Sequence, residues 1–162
     1  MPRFDQETAA AAVELHQLIA EWAYELDFNG GLTMPRLCTE DCVYLVGGTT
    51  YRGHAAVQKF YSDRGERVRN QQKDGVRTQR HTVTNLRVAF SGTAKAELFC
   101  LLVNYSKEGK APALDLVGPT IIADCRFECR LEADGEWRIS LFDSTPIFIG
   151  NDPFLNASVV PK

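Results

Sequence analysis

The sequence is poor in the features that mark membrane, secreted or nucleic-acid-binding chains. No apolar run approaches the ~20 residues that a bilayer-spanning helix needs. The opening Met1-Pro2-Arg3-Phe4-Asp5-Gln6-Glu7 lacks the charged-then-apolar order of a secretory leader, and the alanines that follow are soon broken by Glu14 and His16. A cytoplasmic chain with no membrane partner is therefore expected. The formal net charge is only −3, which gives no general attraction to nucleic acid. One basic run, Arg64, Arg67, Arg69, Lys73, Arg77 and Arg80, is diluted by Asp63, Glu66 and Asp74 and has no aromatics between its charges. It reads as a solvated helix end and loop or as a patch for an anionic ligand, not as a nucleic-acid surface. Histidines are few: His16, His54 and His81. Cysteines number five, so a complete set of internal disulfides is excluded. Cys38 and Cys42 are four apart, as are Cys125 and Cys129, which is not the two-residue gap of a zinc knuckle. Reduced, buried cysteines are expected, with no zinc site.

What is present is the material of an ordinary core. Hydrophobic residues make up 44 % and charged residues 24 % of a 162-residue chain, which suits one domain around one core. Ala12, Leu15, Ile19, Trp22 and Leu26 recur at helical spacing, predicting a long helix over Gln6–Asn29 that stops at Gly30-Gly31. Its last turn carries Asp27, where the helix dipole disfavours a carboxylate. Tyr24 and Asp27 are three apart and share a flank. Thr33 to Leu37 reads as a short second helix, Cys42–Val46 and Thr49–Tyr51 as a hairpin, and His54–Val68 as a third helix. Arg80 to Val88 then reads as a strand opening on His81. An imidazole at a strand mouth suits proton transfer near neutral pH, or simply caps the strand.

Strands fill the remainder. Ala94–Tyr105 is too long to be flat, so a bend or bulge is expected in it. Lys107–Pro119 reads as a loop. Thr120–Leu131 alternates, with Ile121, Ala123, Cys125, Phe127, Cys129 and Leu131 on one face and Asp124, Arg126, Glu128 and Arg130 on the other. The charged face should meet solvent or a second subunit. A hairpin turn at 133–136 leads to the last core strand, Trp137–Asp143. The domain is thus expected over 1–146. Residues 147–162 form a tail packed on the domain or a partner, anchored by Phe148, Phe154 and Leu155. Helices first and a strand meander after imply an α+β fold with a pocket between the long helix and a bent sheet.

Five pieces, in this order, carry a resemblance covering about Glu7 to Asp143. They are Leu26-Asp27-Phe28-Asn29-Gly30, Cys38-Thr39-Glu40-Asp41-Cys42-Val43, Tyr51-Arg52-Gly53-His54-Ala55-Ala56-Val57, Arg80-His81-Thr82-Val83-Thr84-Asn85 and Asp134-Gly135-Glu136-Trp137-Arg138-Ile139. Together they resemble the SnoaL-like families of the nuclear transport factor 2-like (cystatin-like) superfamily. The resemblance implies a cone-shaped α+β barrel: a curved, mixed, mostly antiparallel sheet wrapped around the long N-terminal helix and two further helices. Fold leaves function open, since the superfamily holds isomerases, dehydratases, cyclases, hydrolases and non-catalytic modules.

A narrower similarity concerns two residues. Scytalone dehydratase, bile-acid dehydratase and hexachlorocyclohexane dehydrochlorinase pair an aspartate ending the first helix with a histidine on this strand, and Asp27 and His81 match those positions. The resemblance implies a carboxylate that fixes the histidine tautomer while the other ring nitrogen removes a proton, with no metal or cofactor. This is a lyase or isomerase acting on a small hydrophobic, cyclic molecule. Three departures narrow it. Val46 stands where ketosteroid isomerase has its aspartate base, Trp22 where some members have a tyrosine, and no second histidine occurs around Ile121–Ala123. The group assisting a leaving hydroxyl is left among Tyr44, Tyr51 and Asn104. Tyr24, Phe60, Phe99, Leu101, Cys125 and Phe127 are the expected lining. The alternative is a non-catalytic module like the small subunits of ring-hydroxylating dioxygenases. A homodimer or higher homo-oligomer through the sheet is expected.

Overall fold

Asp5 starts the first helix by accepting a hydrogen bond from the Thr8 backbone N–H at 2.8 Å. Helix α1, Gln6–Asn29, buries the stripe Leu15, Leu18, Ile19, Trp22 and Leu26 and ends at Gly30, whose φ of 65° favours glycine. In this computed structural model residues 4–115 and 118–160 are described. Residues 116–117 of the expected loop and 161–162 of the expected tail lie outside them. A single 3₁₀ turn, Met34–Leu37, replaces the expected second helix, since the segment between Gly31 and the next strand has room for one turn only.

Strand β1, Cys38–Val46, pairs with β2, Thr49–Arg52, and the chain enters α2, Gly53–Gln71. Four long strands follow: β3 (Arg77–Phe90), β4 (Lys95–Glu108), β5 (Ile121–Leu131) and β6 (Trp137–Ile149). The six strands form one sheet in the order β2-β1-β6-β5-β4-β3, antiparallel except for the β1–β6 pair. This is the mixed, mostly antiparallel α+β sheet expected. Among the described residues no helix is long and apolar enough to cross a membrane.

The strands differ from expectation at two boundaries and one bulge. β3 begins at Arg77, so His81 lies inside the strand rather than at its mouth. Arg77, Thr78 and Gln79 read as loop because they are polar, but each side chain finds a partner: Ser106 and Asp152, the Gly109 carbonyl, and the Leu26 carbonyl. The irregularity expected in β4 lies in its partner. Thr84 pairs with Leu101 and Arg87 with Phe99, so β3 carries one extra residue, at Asn85 with φ 56°. Below the bulge Gln79, His81 and Val83 face the helix; above it Leu86, Val88 and Phe90 do. Finally, β6 continues to Ile149, and a helix that sequence periodicity did not announce, α3 (Pro153–Val159), follows.

All five cysteines are free and buried. Burial pushes the Cys129 thiol up to about 12. The largest buried side chains form an aromatic centre: Trp22 lies 5.2 Å from Phe127 and 5.0 Å from Phe142, ring centre to ring centre.

Candidate active site

Asp27 and His81 meet where the end of α1 docks on β3. The Leu26 carbonyl accepts from the Gln79 side-chain amide, which pins the helix end to the strand. His81, two residues on and on the same face, then reaches Asp27 twice. Its backbone N–H donates to Asp27 Oδ2 at 2.9 Å and its ring Nδ1 bonds Oδ1 at 2.6 Å. The side chains are 7 % exposed for Asp27 and 11 % for His81. These two donors compensate a carboxylate that the helix dipole disfavours.

A chain of polar groups fixes the other ring nitrogen. Thr120 Oγ1 donates to Asn104 Oδ1 at 2.6 Å, so the Asn104 amide turns its N–H toward His81 Nε2, 2.9 Å away. Ser106 lies 3.1 Å from Thr120, and Arg77 donates to Ser106 at 2.6 Å. With Asn104 donating to Nε2, the ring proton sits on Nδ1 and points at Asp27. Nitrogen NMR of the imidazole is therefore expected to show a protonated Nδ1 and an unprotonated Nε2. A neutral ring with its proton on Nε2 would overturn this assignment.

His81 and Asn104 open into a small cavity of ≈ 80 Å³. Its walls include Trp22, Leu26, Leu102, Ala123 and Phe142, with α3 closing it through Leu155, Ser158 and Val159. A wider groove of ≈ 560 Å³ lies outside, lined by Gly47, Tyr51, Phe60, Arg64 and Arg67. Phe60, Arg64 and Ser158 line both and separate them. Gly47 is required here: at φ 57°, an added Cβ would lie 2.5 Å from the Ser158 carbonyl oxygen of α3.

The expected site residues divide. Asp27, His81 and Asn104 come together, and Phe60 lines both spaces. Tyr51 lies in the outer groove, its ring 4.6 Å from Phe60. Tyr44 is fully buried behind Trp22, whose indole N–H donates to its hydroxyl at 3.1 Å, and burial raises its pKa far above the tyrosine range. Cys125 and Phe127 face inward but pack in the core below the cavity. Tyr24 is a correction: it is 53 % exposed and stacks on Phe28 outside the fold. Phe99 and Leu101 are corrections too, because the inward phase of β4 runs through Leu98, Cys100, Leu102 and Asn104. Of the other histidines, His16 is exposed and His54 donates from Nε2 to the Cys38 carbonyl oxygen at 3.0 Å.

Several site residues were not anticipated: Gln79, Ser106, Thr120, Arg64 and the α3 residues. Ser106 had a usable signal, since it follows Asn104 by two on the inward phase of β4, whereas Thr120 precedes β5 by one residue, off the inward phase that starts at Ile121, and had none. Arg64 lay inside the basic run but could not be singled out from its neighbours. Its guanidinium donates to Gln79 at 2.6 Å, and desolvation lowers its pKa. Among the described residues, no group of three or more His, Cys, Asp or Glu side chains is placed to hold a metal ion.

Comparison with known proteins places this geometry. The family model described as "SnoaL-like domain" matches residues 7–143. No curated protein matches the chain in sequence. Among solved structures, a provisionally named scytalone dehydratase from Novosphingobium aromaticivorans superposes with a TM-score of 0.70 at 15 % identity, covering 88 % of this chain and 87 % of that one. An NTF2-like protein with a cystatin-like fold from the same organism gives 0.66 at 20 % identity, over 93 % and 95 %. A protein of Catenulispora acidiphila in complex with S-DNPA gives 0.69 at 17 % identity, over 85 % and 94 %. At these identities the structural likeness is one of fold.

Proposed function

The chain belongs to the SnoaL-like domain family, and on that footing we propose that it is a cofactor-independent lyase or isomerase acting on a small hydrophobic, cyclic molecule. The observation that carries the reading is His81, held at Nδ1 by Asp27 while its unprotonated Nε2 faces a cavity walled by apolar side chains. In the proposed step a substrate carbon gives its proton to Nε2 as Asn104 lets go of that nitrogen. The C–H electron pair forms the new double bond and the leaving hydroxyl departs. The imidazolium returns the proton to it, so water is lost and the base is regenerated. Asn104, freed from His81, offers its N–H to the departing or carbonyl oxygen. The provisional name of the Novosphingobium neighbour and the small molecule bound to the Catenulispora neighbour agree with this reading.

A cavity of ≈ 80 Å³ is smaller than the roughly 300–1,000 Å³ that ligand pockets span. A ring substrate therefore needs the inner cavity and outer groove to merge, which requires the segment around Ser158 to move outward. The test is a panel of hydroxylated cyclic ketones, followed by the ultraviolet absorbance of the conjugated product and by deuterium uptake from heavy water. Formation of the alkene, or exchange at the carbon beside the carbonyl, supports the reading. Neither signal across the panel counts against it.

Self-association belongs to the same proposal. Phe99, Leu101, Val103 and Tyr105 form an outward stripe along β4, and Phe99 and Tyr105 are exposed. We expect a dimer through this face, so Phe99→Glu should shift sedimentation from dimer to monomer. A wild-type monomer at assay concentration would remove the proposal.

A further inference from the structure

Arg64 has an unusual setting. It leaves α2 between two cavities and lines both. It is partly buried, yet among the described residues no carboxylate lies within salt-bridge distance of it. Its hydrogen bond goes to a neutral group, the Gln79 side-chain oxygen, at 2.6 Å. An arginine carries five N–H donors, so most of the fork has no protein acceptor. The charges facing it do not compensate. Arg67 and Arg77 are close enough to repel it, and the attraction of Asp27 is weaker than either repulsion. Asp27 already accepts twice from His81, and Asp152 is taken by Arg77. Arg67 donates to Ser158 and the Phe154 carbonyl, both neutral. Lys59, the other cation of the outer groove, is paired with Asp63. Positive charge is thus in excess at the junction of the two cavities, in a place where solvent screens it poorly.

We infer that this junction is an anion subsite, and that the substrate of the proposed reaction carries a carboxylate that Arg64 receives. The planar fork matches the two oxygens of a carboxylate, and the missing negative charge is supplied by the ligand. Gln79 holds the guanidinium from behind, one inward position along β3 from His81, so the carboxylate and the proton-accepting nitrogen address one bound molecule. Arg64 is a positioning and specificity residue here; it does not exchange protons with the substrate. The inference rests on the reading of the cavity as a ring-ligand site and adds the charge of that ligand.

The experiment uses two probes of the same shape, naphthalene-2-carboxylate and its neutral amide, naphthalene-2-carboxamide. Binding is read from the fluorescence of Trp22 in the cavity wall, with Trp137 as a background common to all variants. Wild-type protein is expected to bind the carboxylate about tenfold to a hundredfold tighter than the amide. Arg64→Met should bring the carboxylate down to the level of the amide, and Arg64→Lys should restore part of the difference. Circular dichroism and the thermal midpoint of each variant establish that it is folded. Equal binding of both probes by wild type, or a carboxylate preference that survives in Arg64→Met, overturns the anion subsite and leaves the ring-ligand reading standing. Failure of wild type to bind either probe removes both.

Discussion

Replacing His81 by alanine is expected to lower turnover of a substrate by a factor of about 10²–10⁴, with ring-ligand binding retained. The imidazole Nε2 is the one unprotonated ring nitrogen aimed into the cavity, and the other polar walls are hydroxyls, an amide and the already protonated Arg64 guanidinium, none of which takes up a proton at neutral pH. The fold should survive. The backbone N–H of residue 81 still donates to Asp27 Oδ2, and the Gln79 link to the Leu26 carbonyl is untouched. Asp27→Asn tests the same arrangement from the other side. An amide can turn its oxygen to the residue 81 backbone N–H, but its NH₂ then faces Nδ1 and demands an acceptor there. The ring proton moves to Nε2, against the Asn104 N–H, and the base is lost without any group being deleted. Activity should fall by a factor of the same order, with a changed imidazole nitrogen spectrum. His81→Ala serves as the decisive variant: undiminished turnover there would end the proton-transfer proposal.

How much of this was legible in the sequence depends on the range over which each feature is specified. Helix α1 was readable from end to end because its stripe, cap and glycine stop are local. The first three residues of β3 were not, because Arg77, Thr78 and Gln79 look like loop until their partners on α1, β4 and α3 are known. The β3 bulge left a trace that a closer reading could have used. His81 and Val83 are odd-numbered; Leu86, Val88 and Phe90 are even, and one face holds both sets only if a residue is inserted between them. The same attention to phase would have corrected the site. Asn104 and Phe99 cannot face the same side of a regular strand, so placing Phe99, Leu101 and Asn104 in one pocket was inconsistent in itself. Asp27 and His81 were paired through family resemblance. The hydrogen bonds give that pairing its geometry, while Asn104's contact with Nε2 depends on Thr120 across the β4–β5 ladder and could not be read from local sequence. Helix α3 was missed because it is short and its attachments come from elsewhere. Arg67 and Arg77 lie over the Phe154 ring at 4.7 and 4.9 Å, and Leu155 is buried.

Trp22→Ala is expected to have the largest effect on stability, about 3–5 kcal/mol. Trp22 is 1 % exposed and packs edge-on to Phe127, against Phe142, and beside the His81 ring at 6.2 Å. It joins the helix to four strands, through His81, Phe127, Phe142 and Tyr44, so no single neighbour can collapse into the space it leaves. A domain of this size is stabilised by roughly 5–15 kcal/mol in total, so the loss is a large fraction of it. In thermal unfolding followed by circular dichroism the midpoint should fall by about 6–20 °C. Trp22→Phe separates packing from hydrogen bonding. It keeps a ring in the cluster but withdraws the indole N–H from the Tyr44 hydroxyl, which then retains only the Cys38 thiol at 3.7 Å. The cost should be smaller, about 1–3 kcal/mol. The two variants also differ at the site. Alanine removes a wall of the cavity and frees the His81 ring to tilt, whereas phenylalanine keeps that wall. Ring-ligand affinity should therefore fall in Trp22→Ala more than in Trp22→Phe, read by calorimetry because the fluorophore is gone. A midpoint within about 2 °C of wild type for Trp22→Ala would mean that the aromatic cluster is not the centre of this core.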